Sequence, residues 1–207
     1  MTTENTVGRD IVTLDARVVR ATVRVVAQAG PADLARPTPC GDWTLGELLT
    51  HMTAQHDGWV AAAAGDGGKL SRWQPGPPAA DPVKEYAGAA ERVLAAFGAD
   101  GVLDREFALA ELSPLLRFPA AQAISFHFID YLVHGWDVAR SLGLDPPDYE
   151  FEPDLLAAAL PVAQAVPDGK LRKRGMVPFA PGISVTGNLG AMDQIVAMLG
   201  RSPSWPQ

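Results

Sequence analysis

The chain has 207 residues, with 17 Lys+Arg against 24 Asp+Glu and a formal net charge of -7. That length suits one compact domain with a short appendage, and 47% hydrophobic with 20% charged residues excludes a disordered polymer. The acidic balance argues against a nucleic-acid partner, which needs a basic footprint. A single cysteine, Cys40, excludes an internal disulfide framework and a multi-cysteine zinc module. The start MTTENTVGRD lacks the basic and apolar regions of a secretory signal. No run approaches the roughly 18 apolar residues of a membrane span. The expected location is the cytoplasm, with no membrane partner.

In chain order, Ile11, Leu14, Val18, Ala21, Val25 and Ala29 recur every three to four residues, the buried face of a helix stopped by Gly30. A second helix starts at the capping box Thr44-Leu45-Gly46-Glu47, with Trp43 and Leu48 placed as a staple, and runs to about Ala64. Residues 65–81 form a Gly/Pro loop. Asp81-Pro82 predicts the cap and first turn of a third helix through Val83, Tyr86, Ala90, Val93, Leu94 and Phe97, ended near Gly98. Residues 99–118 are ambiguous, with Phe107-Ala108-Leu109 a candidate extended piece. A fourth helix is expected from about Pro119 to Leu142, ended by Gly143, and a fifth from Glu152 to Val166, bent near Pro161. Residues 175–190 read as irregular and Ala191–Leu199 as a last short helix. The pattern predicts an all-α protein: a four-helix bundle over residues 1–145 and a short C-terminal extension, 146–207, packed on it.

The fourth helix carries the chemistry. His127, Asp130, His134 and Asp137 fall within about 80° of one another, one polar stripe on one face. Such a stripe can face water, and a single helix does not say which way it points. Asp130 and His134 form an i, i+4 pair able to converge on one metal ion. A third ligand must come from another helix, and His51, midway along the second, is the candidate, although a lone histidine there is more often a core or boundary residue than a ligand. Three such ligands leave a tetrahedral position open, as catalytic zinc sites do. His127 is a candidate proton shuttle, a substrate contact or an alternative ligand. Asp137 can orient a ligand histidine or pair with Arg140. Gln55 and Trp59, one and two turns after His51, are candidates to line a cofactor pocket, while His56 lies about 140° around the helix from His51. Cys40 precedes a helix N-terminus, a setting that can activate a thiol, but no base lies near it in sequence. Nucleotide-binding and serine-hydrolase motifs are missing.

The run P37-T-P-C-G-D-W-T-L-G-E-L-L-T-H51-M resembles the second-helix motif of the mycothiol-dependent maleylpyruvate isomerase family, within the DinB/YfiT-like metal-binding bundles. D130-Y-L-V-H-G-W-D-V-A-R-S-L-G143 is similar to its second hallmark, and the resemblance covers roughly residues 10–145. It implies a DinB-like, up-down-down-up bundle holding a divalent metal, zinc or else nickel, through His51, Asp130 and His134. The isomerase carries glutamate where this chain has Asp130, a shorter side chain of the same charge. It also has a larger C-terminal domain that contributes an arginine to substrate binding. Here some 60 residues follow the bundle, and neither Arg172 nor Arg174 of the KLRKR run is matched to that role. A charge run of this kind is expected to be a solvated face.

The resemblance implies a divalent-metal-dependent enzyme that uses mycothiol, a low-molecular-weight thiol, against a small electrophile. The reaction is S-transfer or isomerisation, and the protein a monomer or homodimer. The alternative is a DinB-like bundle that binds metal or a small ligand without turnover. On either view the protein itself supplies almost no thiol; on the first, a cofactor does.

Overall fold

Three of the four long helices begin and end close to their sequence signals. The computed structural model describes residues 3–144, 149–173 and 178–206. Helix α1 spans Thr3–Val26, α2 Leu45–Ala63, α3 Pro82–Phe97 and α4 Ala120–Leu142. The Thr44 cap accepts from the Glu47 N–H while the Glu47 carboxylate accepts from the Thr44 N–H, the reciprocal box its sequence predicts. Asp81 caps α3 with proline in its first turn, and Gly143, at φ 75°, ends α4 in the left-handed conformation. Helix α1 starts earlier than its apolar period indicates, at Thr3 rather than Ile11, and closes through i→i−3 bonds such as Ala29 N–H to the Val26 carbonyl.

The ambiguous stretch before α4 contains a short antiparallel hairpin, β1 (Glu106–Ala108) with β2 (Arg117–Pro119), in which Phe107 faces Phe118. Beyond α4 come α5 (Pro153–Ala165, with Pro161 inside it), the single turn α6 (Lys170–Lys173) and α7 (Ala191–Met198). Among the described residues these are the regular elements, an all-α bundle with one small hairpin.

Two apolar layers fix the helix directions. The lower layer joins Leu45, Leu48, Leu49 and Met52, early in α2, to Tyr86, early in α3, and to the second halves of α1 and α4. The upper layer joins Trp59, Ala62 and Ala63, late in α2, to Val93 and Phe97, late in α3, and to Ala120, Ala123 and Ile124, at the start of α4. Helices α2 and α3 therefore run together from the lower layer to the upper, and α1 and α4 run opposite to them, which is the up-down-down-up topology when the direction of α1 is taken as up. The closest pairings are α1 on α4 and α2 on α3.

The C-terminal segment extends the lower layer. Phe151, Leu155, Ala159, Ala163, Phe179, Ile195, Val196 and Leu199 are buried in the same cluster as the bundle residues. Arg17 on α1 pairs with Glu152 and Asp154, both at 2.6 Å, at the start of α5. Gly135 marks the tightest approach: a Cβ there would lie 2.6 Å from Thr22 Cγ2 and 2.9 Å from Phe151 Cζ. The KLRKR run departs from the solvated face expected of it. Arg172 is buried and donates to the carbonyls of Val166, Pro167, Ala180 and Met198, stitching the segment together. Arg174 lies outside the described residues.

Candidate functional site

Helices α2 and α4 bring His51, Asp130 and His134 together at the lower end of the bundle. The rings of His51 and His134 meet edge to face with centroids 5.5 Å apart. His134 Nε2 lies 3.6 Å from Asp130 Oδ1. That is too long for a hydrogen bond. It is close to the roughly 3.4 Å that separates two donors on a tetrahedral ion with bonds of about 2.1 Å. Asp130 remains 22% exposed and His51 half-buried, so the group opens to solvent. Burial, reinforced by His134, lowers the His51 pKa to about 4, which keeps its imidazole neutral with a free lone pair. Trp43, exposed at the rim, lies against His51 with ring centroids 4.7 Å apart.

A second set of groups backs His134. Its Nδ1 donates to Asp137 Oδ2 at 3.0 Å, which fixes the tautomer and leaves Nε2 toward Asp130. Asp137 is fully buried and accepts from Arg201 at both oxygens, Nη2 to Oδ2 at 3.1 Å and Nε to Oδ1 at 3.4 Å. Burial alone would raise the Asp137 carboxyl, but Arg201 and His134 hold it below its ordinary value. Arg201 also donates to Cys40 Sγ at 3.3 Å. Among the described residues, the three-residue donor group whose ligand atoms all lie within 4.8 Å of one another is Cys40, His134 and Asp137, a tighter cluster than His51, Asp130 and His134. The chemistry of the Cys40 group is less suited: both Asp137 oxygens accept from Arg201 and His134, and burial pushes the Cys40 thiol up to about 12 against the opposing pull of Arg201. That thiol is neither an activated nucleophile nor a ready thiolate.

The remaining sequence candidates separate. His127 is wholly buried one level higher, where Nδ1 meets Asp15 Oδ1 at 2.6 Å and Nε2 meets His56 Nδ1 at 3.1 Å. Both ring nitrogens are engaged inside the core, so neither is presented to the His51–His134 group. His56 stacks on Tyr131 at 3.9 Å, and its Nε2 and Asp15 Oδ2 have no hydrogen-bond partner among the described residues. Trp59 packs edge-on against Trp73, Phe97 and His127 in the upper layer. Gln55 is buried and hydrogen bonded to Glu111, whose carboxyl is raised by desolvation and by Asp130. Glu111, in the hairpin loop, and Arg201 carried no local sequence signal. Asp15 did carry one, a lone carboxylate among the apolar positions of α1.

An all-α, up-down-down-up bundle with a histidine–carboxylate group between its second and fourth helices defines the class. The family model for the mycothiol maleylpyruvate isomerase N-terminal domain matches residues 16–139, and the chain belongs to that family. Two relatives from Mycobacterium tuberculosis are "Uncharacterized protein MT0763" of strain CDC 1551 / Oshkosh and "Uncharacterized protein Rv0738" of strain ATCC 25618 / H37Rv. Each is 28% identical over 191 residues, covering 90% of this chain and 94% of the relative. No solved structure matches. Among the described residues no helix is long and apolar enough to cross a membrane.

Proposed function

We propose that the protein is a divalent-metal-dependent enzyme that uses mycothiol against a small electrophile, by S-transfer or by thiol-assisted isomerisation. The observation that supports it is the arrangement of His134: Nδ1 is tied to Asp137, while Nε2 faces Asp130 beside a neutral His51 at a solvent-open rim. His51, Asp130 and His134 would hold the ion, and imidazole with carboxylate suits zinc, with nickel as the alternative. A bound ion with an open position lowers the pKa of a thiol, so that its thiolate exists at neutral pH.

The chain's own residues supply placement. Trp43 offers an indole face at the rim, and Gln55 with Glu111 forms a polar wall on the side of the hairpin loop. Asp137 keeps His134 in one tautomer. Mycothiol, when bound, would supply the nucleophilic sulfur, its proton passing to solvent: in transfer it would displace a leaving group that departs with its electron pair, and in isomerisation it would add reversibly to a conjugated carbon and be released unchanged. The protein would act in the cytoplasm, as a monomer or homodimer with no nucleic-acid or membrane partner.

The test is zinc content by mass spectrometry, followed by incubation of the zinc-loaded protein with mycothiol and monobromobimane. Stoichiometric zinc and conjugate formation, both lost in His51→Ala, are expected. Zinc retention without turnover across a panel of electrophiles would favour a binding bundle over an enzyme. Failure to take up zinc or nickel would overturn the metal reading itself.

A further inference from the structure

We propose that Arg201, carried by the C-terminal segment, is a positioning residue for His134. It clamps Asp137, and Asp137 in turn sets the His134 ring orientation and tautomer that leave Nε2 facing Asp130. The inference rests on the metal reading for its consequence, though not for its geometry.

The clamp is built by the backbone. Gly200 follows α7 at φ 81°, and a Cβ there would lie 2.6 Å from both Ala180 Cβ and Ala180 O, so this turn requires glycine. The turn sends Arg201 back into the bundle, with its N–H on the Val196 carbonyl at 2.9 Å and Nη1 on the Leu199 carbonyl at 3.0 Å. Its guanidinium sits 5.6 Å from the centroid of Phe179, and the residue is 5% exposed. Nε and Nη2 then grip the two Asp137 oxygens as a fork, a geometry lysine cannot reproduce.

Helix α4 alone does not provide this arrangement. Asp137 has Arg140 one turn on, the partner its spacing suggests, but Arg140 donates to the Trp205 carbonyl. The carboxylate that orients His134 is therefore held by a residue 64 positions away. A buried ion pair is weak evidence of stabilisation in itself. Its partner here is an imidazole whose other nitrogen faces an open polar group, where outer hydrogen bonds typically tune metal affinity.

The sign of one substitution separates positioning from mere proximity. A bystander cation beside a divalent ion weakens binding, so its removal would tighten zinc. A positioning cation does the reverse. The full chain would be labelled with ¹⁵N-histidine and its imidazole shifts recorded zinc-free; zinc affinity would be measured by chelator competition. In the unaltered chain His134 is expected as the single Nδ1–H tautomer. Arg201→Met is expected to mix the tautomers and weaken zinc about 10–100-fold. Arg201→Lys, which keeps the charge without the fork and serves if the methionine variant fails to fold, is expected to fall between the two. Retention of the single Nδ1–H tautomer in these variants overturns the proposal, as does unchanged or tighter zinc binding in Arg201→Met. If the unaltered chain binds no zinc, the metal reading fails on its own and the tautomer comparison decides the role of Arg201.

Discussion

Two histidine pairs bridge α2 and α4, and they differ in what their nitrogens meet. His51 and His134 sit at the rim beside Asp130; His56 and His127 lie in the core beside Asp15. Because α2 and α4 run antiparallel, five residues onward in α2 correspond to seven residues back in α4, a climb of roughly 8–10 Å into the bundle. In the inner pair the imidazoles bond to each other and to a carboxylate. In the outer pair the rings meet edge to face, and the free nitrogen of His134 turns to Asp130. The same residue types thus make a closed core network at one level and an open donor set at the other. Saturation, rather than composition, distinguishes the closed network from the candidate ligand set.

The contrast can be broken most forcefully at the inner pair. His127→Ala strips Asp15 of its buried partner and is expected to cost about 3–5 kcal/mol in urea unfolding. Asp130→Ala, at the open rim, is expected to change zinc-free stability by less than about 0.5 kcal/mol while losing zinc. Equal costs at the two positions would contradict the comparison.

Acidification probes both levels at once. Burial lowers the pKa of His56 well below 6.5 and that of His51 to about 4. The unfolded chain therefore binds more protons than the folded one once pH drops below about 6.5. Stability is expected to be fully present above that pH and to fall on acidification, by up to about 1.4 kcal/mol per pH unit for each group. Urea midpoints that do not shift between pH 7.5 and 5 would contradict it.

Smaller effects sharpen how the rim is held. Gly135→Ala, beside His134, is expected to cost about 1–3 kcal/mol, because the new methyl meets Thr22 and Phe151 and must part α1, α4 and the C-terminal segment. Thr44→Ala removes the α2 cap near His51 and is expected to cost about 1 kcal/mol, read as a drop in melting temperature. A Gly135→Ala chain as stable as the parent would show that the contact at this crossing relaxes freely.

Local signals in the sequence were enough for the helices. The Thr44 and Asp81 caps, the Gly143 stop and the apolar period of α1 each depend on residues within one or two turns of one another. That His51, Asp130 and His134 lie near one another was legible for a related reason: two fall on one helix face, and the third lies in a recognisable motif. What connects distant levels was not legible. Trp59 sits at helical spacing from His51 yet turns into the upper layer, and His127 shares the Asp130 stripe yet bonds inward, since a helix rotates little over three residues but the bundle grows deeper. Arg201 reaches Asp137 only because Gly200 turns the chain back, and no periodicity encodes that return. The buried Arg172 shows the same limit, its charge met by carbonyls that only the folded segment assembles.

The most direct test of the metal centre is X-ray absorption at the zinc edge on the loaded protein, before and after mycothiol. Only nitrogen and oxygen neighbours at about 2.0–2.2 Å are expected at first, then one sulfur at about 2.3 Å once the thiol is added. A sulfur neighbour before mycothiol, lost in Cys40→Ser, would move the ion to the Cys40–His134–Asp137 group and contradict the assignment of His51, Asp130 and His134.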